Sequence, residues 1–297
     1  MPFDQWMRSI AARTEAALDH YLPAVSLAPT RLHEAMRYTA LGGGKRVRPL
    51  LCHAAGAAFG ASAQQLDVAA ASVEMIHVYS LVHDDMPVMD DDALRRGKPT
   101  VHIQYDEPTA LLVGDALQSQ AFITLCADAL SPALRAPLVA ELARASGSLG
   151  MAGGQAIDLE SVGTSLSREA LETMHRMKTG ALLRAAVRMG ALCAGSVANA
   201  AVLARLDAYS AAIGLAFQVV DDVLDVTADS TTLGKTAGKD AKDNKPTYVS
   251  VLGLDASRKL ATTLCAEAHA ALDGLAALGG STERLAQMAD LVVERAN

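Results

Sequence analysis

Two aspartate-rich clusters, each preceded by an apolar stretch of helical character, constrain this chain more than any other feature. The first is His83-Asp84-Asp85-Met86-Pro87-Val88-Met89-Asp90-Asp91-Asp92, followed after Ala93 by Leu94-Arg95-Arg96-Gly97. The second is Phe217-Gln218-Val219-Val220-Asp221-Asp222-Val223-Leu224-Asp225. Carboxylates packed this densely beside apolar sequence repel one another and resist desolvation. They become tolerable when a cation sits between them, and a hydrated divalent metal is the obvious candidate.

In the second cluster Asp221 and Asp225 are four residues apart and Asp222 and Asp225 three apart, spacings that stack carboxylates on one helix face. Like charges so placed destabilise a bare helix, and near its C-terminal end the macrodipole disfavours them further. Two penalties at one place point to function. In the first cluster Asp84 and Asp90 are six apart and would face different ways on an ideal helix. Pro87 disfavours the helical region for Met86 and ends or bends the helix, so that the chain can fold Asp90 back toward Asp84. A single such cluster reads as a solvated acidic end; two of them, each following an apolar helix face, read as metal ligands. The first cluster is no EF-hand loop, lacking the glycine and terminal glutamate of that pattern.

The remainder of the chain predicts helices. Of 297 residues, 51% are hydrophobic and only 4% aromatic, with much alanine and leucine, and no sustained Val/Ile/Thr alternation marks a half-buried strand. Helices are expected at Phe3–Tyr21, at Thr30–Leu41 with Thr30 as cap, from Pro49 toward Phe59, and at Leu66–Asp85. Residues 93–108 read as a loop. Thr109–Leu130 and Pro132–Gly150 follow, then a break at Gly153-Gly154. Ser167 should cap a long helix through Cys193, and another should run from Val197 to Val226. Asp229–Pro246 reads as a charged loop, and the last fifty residues as helix. With no linker and no internal repeat, residues 1–297 are expected to form one all-α domain of roughly ten or more helices.

A net charge of −7, with no basic face, argues against nucleic acid. It would also repel an anionic substrate unless metal ions and local basic groups reverse the field. Two facing clusters could hold two or three Mg²⁺ around a diphosphate, since Mg²⁺ keeps several waters and binds through few carboxylates plus phosphate. Arg95 and Arg96 supply phosphate-binding forks. Gly42-Gly43-Gly44-Lys45-Arg46-Val47-Arg48-Pro49 is a second anion-site candidate, its glycines exposing backbone N–H groups before a helix start. It lacks P-loop spacing. His77, two turns below Asp84 on one stripe, is read as a phosphate contact. The dispersed Cys52, Cys126, Cys193 and Cys265 form no zinc or disulfide pattern. No signal peptide is expected, since Met1 to Ser9 lacks a basic region before an apolar core, and no eighteen-residue uncharged apolar stretch suggests a membrane span. A cytoplasmic setting is expected.

These segments together resemble the trans-prenyltransferases, the short-chain isoprenyl diphosphate synthase family. The resemblance rests on GGGKRVRP (42–49), EMIHVYSLVHDDMPVMDDDALRRGKPT (74–100), MAGGQAIDL (151–159), MKTGALL (177–183), FQVVDDVLD (217–225) and LGKTAGKD (233–240). It implies an all-α bundle around a deep central cavity, usually a homodimer, that joins an allylic diphosphate to isopentenyl diphosphate. It further implies that Asp84, Asp85, Asp90, Asp221, Asp222 and Asp225 hold Mg²⁺. Arg95, Lys178, Thr179, Gln218 and Lys235 would serve the allylic diphosphate, and Lys45, Arg48, His77 and Arg96 isopentenyl diphosphate. Thr179 and Gln218 would face the developing carbocation, with Lys178 and Arg95 completing the catalytic set. No protein nucleophile is needed, and no convincing Ser/His/Asp arrangement is present. Tyr79, about 7.5 Å down the helix from Asp84, and Ser80 would form a cavity floor suited to a fifteen-carbon product, farnesyl diphosphate. A twenty-carbon (geranylgeranyl) synthase is the alternative. A terpene cyclase or a non-catalytic partner subunit fits less well, because both Asp clusters and the Lys45/Arg48 pair are present.

Overall fold

Side-chain caps start several helices, among them the two on which the acidic segments ride. Ser62 and Gln65 form a reciprocal capping box, Asp106 accepts from the Thr109 N–H at 2.7 Å, and Ser167 accepts from the Ala170 N–H at 3.2 Å. Asn199 accepts from the N–H groups of Ala201 and Val202. Each satisfies donors that a helix start otherwise leaves unpaired. In this computed structural model, which describes residues 1–227, 245–276 and 278–294, the chain is an all-α bundle. Its helices are α1 (Phe3–Tyr21), α2 (Thr30–Ala40), α3 (Val47–Ala58), α4 (Ala63–Asp84), α5 (Val101–Gln104), α6 (Glu107–Thr124), α7 (Pro132–Ser146), α8 (Met151–Glu160), α9 (Arg168–His175), α10 (Ala181–Leu192), α11 (Ala200–Thr227), α12 (Tyr248–Leu252), α13 (Leu254–Ala276) and α14 (Glu283–Glu294).

α4 is the central rod: twelve of its residues are buried, on all sides, and it packs against α1, α3, α6 and α10. α11 lies against α10 and, most extensively, α13. α11 is long and apolar enough to cross a membrane by length and composition. Half of its most apolar window is buried inside the bundle, and we read it as a core helix.

Several sequence expectations shift. The 93–108 loop contains an antiparallel pair, β1 (Leu94–Arg95) with β2 (Lys98–Pro99), and the short α5. Thr30 is the first helical residue and not a cap; Pro29 precedes it with no side-chain cap bond. Gly153-Gly154 does not break the chain. Both lie inside α8, where a Cβ on Gly154 would overlap the backbone of Lys178. The glycine is there for close approach between helices, which outweighs its low helix propensity. The rod expected from Ser167 to Cys193 forms, but Arg176–Gly180 is a π turn between α9 and α10.

Candidate active site

The first acidic wall is built by the end of α4. The Asp85 N–H closes the last turn on Leu81 O, and the chain then doubles back at Pro87. The N–H of Asp90 donates to Asp84 O at 2.8 Å and that of Asp92 to Asp85 O at 3.1 Å. Asp90 thus returns beside Asp84, as the proline implied. Burial, which outweighs the nearby Lys178 ammonium and is reinforced by Asp90 and Asp85, pushes the Asp84 carboxyl up to about 6.

Asp85 points elsewhere. It is buried, and Arg95 Nε donates to its Oδ1 at 3.0 Å while the Arg95 Nη2 makes a second, closer contact. It lines a small cleft toward Tyr38 and Thr100. Asp90 Oδ1 accepts from Lys245 Nζ at 2.9 Å.

The second wall stands on the last turns of α11. Asp221 lines the cavity. Asp222 is buried and its Oδ2 accepts the Tyr248 N–H at 2.7 Å. Asp225 is buried, and among the described residues its Oδ1 has no hydrogen-bond partner.

Three connected chambers meet at Leu81 and Thr179. The acidic chamber, about 220 Å³, is lined by Asp84, Asp90, Asp92, Asp221 and Asp222 together with Arg95, Lys178, Gln218 and Lys245. The basic chamber, about 350 Å³, holds Lys45, Arg48, His77, Arg95, Arg96 and Gln218. The third, about 530 Å³, runs past Tyr79 and Ser80 between α4, α6 and α8. The sequence-predicted residues therefore converge, with two exceptions: Asp85 and Asp225 line none of the three chambers. Lys235 lies outside the described residues.

In the basic chamber two of the three glycines do not offer their N–H groups as expected. Those of Gly42 and Gly43 donate to the Glu15 carboxylate at 3.1 Å each. Arg46 is buried and bonds Glu15, Glu74 at 2.8 Å and Ala40 O at 2.7 Å. These contacts pin the loop so that Lys45 and Arg48 face the chamber from either side of Arg46. Arg96 Nη1 donates to Gly43 O at 2.7 Å. Burial draws the Arg48 guanidinium down to about 10 despite Glu74. Burial, reinforced by Arg48 and Arg96, holds His77 well below its ordinary value and hence neutral. An incoming diphosphate would offset those cations and lower their cost.

In the third chamber Tyr79 packs edge-on against His83, with ring centroids 5.8 Å apart. His83 Nε2 lies 3.0 Å from Leu111 O, and its ring occupies the space where a side chain on Gly114 would be. Ser80 Oγ donates to His77 O at 2.9 Å.

Three contributors escaped the sequence reading. Asp158 Oδ2 accepts from Lys178 Nζ at 2.6 Å. Its signal was the MAGGQAIDL segment, whose aspartate sits opposite the π turn only because Gly154 lets α8 approach. Lys245, at the end of a segment expected as a charged loop and just after residues 228–244, which lie outside the described residues, bonds Asp90 and lies 4.0 Å from Asp158. His175, buried and stacked on Tyr248 (centroids 5.4 Å apart), has no hydrogen-bond partner at either nitrogen among the described residues. Burial holds it neutral, down to about 4.

The donor set fits Mg²⁺. It is all carboxylate oxygen, it includes the orphaned Asp225 Oδ1, and among the described residues no three of these carboxylates bring donor atoms within 4.8 Å of one another. Such spacing suits an ion that keeps waters and shares substrate phosphate, and suits poorly one that needs a closed protein cage.

A helical bundle with facing acidic walls, a basic corner and a third chamber of mixed lining defines a class of enzymes that handle diphosphates on hydrocarbon tails. The polyprenyl synthetase family model matches residues 29–273, and the chain belongs to that family. It is 54% identical over 285 residues to a protein of Sinorhizobium fredii named probable farnesyl diphosphate synthase, covering 95% of this chain and 85% of the relative. It is 47% identical over 299 residues to the farnesyl diphosphate synthase of Escherichia coli, covering 99% of both. A solved geranyltransferase of Helicobacter pylori, complexed with magnesium and isoprenyl diphosphate, superposes with a TM-score of 0.85 at 34% identity, over 99% of this chain and 97% of that one.

Proposed function

We propose that this chain condenses isopentenyl diphosphate with dimethylallyl or geranyl diphosphate, giving farnesyl diphosphate and pyrophosphate. The observation that carries this reading is the sharing of Thr179 by an acidic chamber, a basic chamber and a third, larger chamber that runs past Tyr79. One chamber suits a metal-bound diphosphate, one a second diphosphate, and one a hydrocarbon tail.

Asp84, Asp90, Asp221, Asp222 and Asp225 would hold two or three Mg²⁺, which when bound supply Lewis-acid neutralisation of the departing diphosphate. Asp85 acts on Arg95, fixing the guanidinium that reaches the same oxygens. Lys178, positioned by Asp158, grips the allylic diphosphate with Arg95, and Lys235 joins this set from outside the described residues. Lys45, Arg48, His77 and Arg96 hold isopentenyl diphosphate. As the allylic C–O bond breaks, Thr179 and Gln218 turn their oxygen dipoles toward the developing cation; preorganised dipoles of this kind are worth most in a water-poor site. The homoallylic double bond attacks, and the proton is lost to the diphosphate still held beside it. The tail extends past Ser80 toward Tyr79 and His83, which close the shaft.

The all-aspartate second wall and the Lys45/Arg48 pair favour elongation over cyclisation, and the retention of both walls favours catalysis over a partner-subunit role. We further propose a homodimer. Leu112, Ser119 and Ile123 lie on one exposed stripe of α6, and Leu111 beside it is also exposed. Four free thiols, two of them buried, suit the cytoplasm.

The test is incubation of the purified protein with Mg²⁺, isopentenyl diphosphate and geranyl diphosphate, followed by phosphatase and identification of the alcohols. Farnesol is expected, with Tyr79→Ala shifting the product toward twenty carbons or more. Geranylgeraniol from the unmodified protein would overturn the chain-length reading, and no alcohol longer than geraniol would overturn the reaction. A single-chain mass by light scattering would overturn the dimer.

A further inference from the structure

Cys265, His269 and Asp290 lie outside the three chambers, on two neighbouring helices. Cys265 and His269 are one turn apart on α13, so their side chains stack on one face. Asp290 projects from α14, which packs against that face. Asp290 Oδ1 is 2.7 Å from His269 Nε2 and 3.8 Å from Cys265 Sγ. Among the described residues these three form the one group of His, Cys, Asp or Glu donors whose ligand atoms all lie within 4.8 Å of one another. Glu294, one turn beyond Asp290, is near enough for its charge to act on Cys265.

We propose that this cluster binds a zinc ion, tying α13 to α14. Zinc bonds of about 2.3 Å to sulfur and about 2.0–2.2 Å to nitrogen and oxygen place the ligand atoms of a tetrahedral site roughly 3.3–3.7 Å apart. The present separations bracket that range. The His269–Asp290 contact has to open by well under 1 Å, and the Cys265 sulfur has to close by a few tenths. A thiolate and an imidazole select a borderline-soft ion over magnesium, which takes oxygen ligands. Three protein donors leave the fourth position to water or to Glu294.

The group is accessible: the side chains of His269 and Asp290 are 39% and 50% exposed. Burial and the Asp290 carboxylate keep the Cys265 thiol above its ordinary value, so binding displaces a proton to solvent as the thiolate is taken by the metal. Beneath the site, Tyr209 of α11 donates its hydroxyl to Leu285 O at 2.7 Å. This bond joins α14 to the helix that carries the second acidic wall.

The experiment is titration of the metal-stripped full chain with Co²⁺ in excess Mg²⁺, followed by displacement with Zn²⁺. One equivalent of Co²⁺ per chain should give a thiolate-to-cobalt charge-transfer band that Zn²⁺ abolishes, and Zn²⁺ should raise the melting temperature. Cys265→Ser should lose the band, and His269→Ala and Asp290→Asn should each weaken Zn²⁺ binding by at least about tenfold. Asp84→Asn should leave the band intact, which separates this site from the acidic chamber. A wild-type titration without the band, or a band that survives Cys265→Ser and vanishes in Cys126→Ser, would overturn the proposal. All variants are first checked for wild-type helicity.

Discussion

The two acidic walls solve one problem by different means. The second is written into a straight helix: three- and four-residue spacings on α11 put its carboxylates on adjoining faces, and no turn is needed. The first is assembled by a reversal of the chain, with Asp90 brought back to Asp84 by backbone hydrogen bonds after Pro87. Their partners among the described residues differ as well. In the first wall, Arg95 holds Asp85 and Lys245 holds Asp90. In the second, Asp222 takes a backbone N–H and, among the described residues, Asp225 keeps an orphaned oxygen. The first wall is thus partly neutralised by protein cations before any metal arrives. In the second wall, the Tyr248 backbone N–H is one of the groups that hold Asp222.

That contrast sets what each substitution should do. Asp84→Asn and Asp221→Asn, one from each wall, should each lower kcat by about a thousandfold at saturating Mg²⁺, the scale for losing one principal stabiliser of developing charge. If only one wall proves sensitive, the paired-wall reading fails. Asp85→Asn should cost less, about ten- to a hundredfold, because Asp85 acts through Arg95. Its effect should appear chiefly in the KM for the allylic substrate, with the Mg²⁺ half-saturation unchanged. A loss equal to that of Asp84→Asn would place Asp85 among the direct ligands.

Beneath the second wall, His175 makes the fold acid-sensitive. It is neutral in the folded chain down to about pH 4, whereas unfolded chain takes up the proton near pH 6.5. Its contribution is complete above 6.5 and is lost as pH falls toward 4, by up to about 3 kcal/mol. His175→Phe, which keeps the stacking on Tyr248, should flatten the fall in unfolding free energy between pH 6.5 and 4. An unchanged slope in denaturant titrations would remove His175 as the cause. The smallest effect is expected from Asp225→Asn, which changes a buried carboxyl whose Oδ1 has no hydrogen-bond partner among the described residues. It should stabilise the metal-free chain by about 1 kcal/mol while raising the Mg²⁺ half-saturation. Stabilisation that persists at saturating Mg²⁺ would show that Asp225 gives the metal nothing.

Much of this site was legible in the amino-acid sequence, because its chemistry needs residue types at short, regular spacing. The α11 wall, the reversal at Pro87 and the placement of His77 on the stripe below Asp84 all follow from helix pitch and proline sterics, whereas the Tyr79/Ser80 floor came only from the family resemblance. Where the reading failed, the cause was a long-range contact. Gly42 and Gly43 were free anion donors in sequence terms, but Glu15 of α1, far away in the chain, takes their N–H groups. Gly153-Gly154 carried every mark of a break, yet the pair stays helical because α8 must press against Lys178. The π turn at Arg176–Gly180 has no local signature; the extra residue per turn changes where Lys178 and Thr179 point relative to a regular helix.

The amino-acid sequence alone determined the helical class of this protein, the positions of its acidic and basic segments, and the metal chemistry they suit. Those properties rest on local periodicity and on the cost of crowding like charges. Only the tertiary structure decided which carboxylates face the cavity and which are held by arginine or a backbone N–H, and that three chambers meet at Thr179. Those outcomes depend on how closely helices approach and on which distant partner reaches a polar group first, and no stretch of chain encodes either by itself.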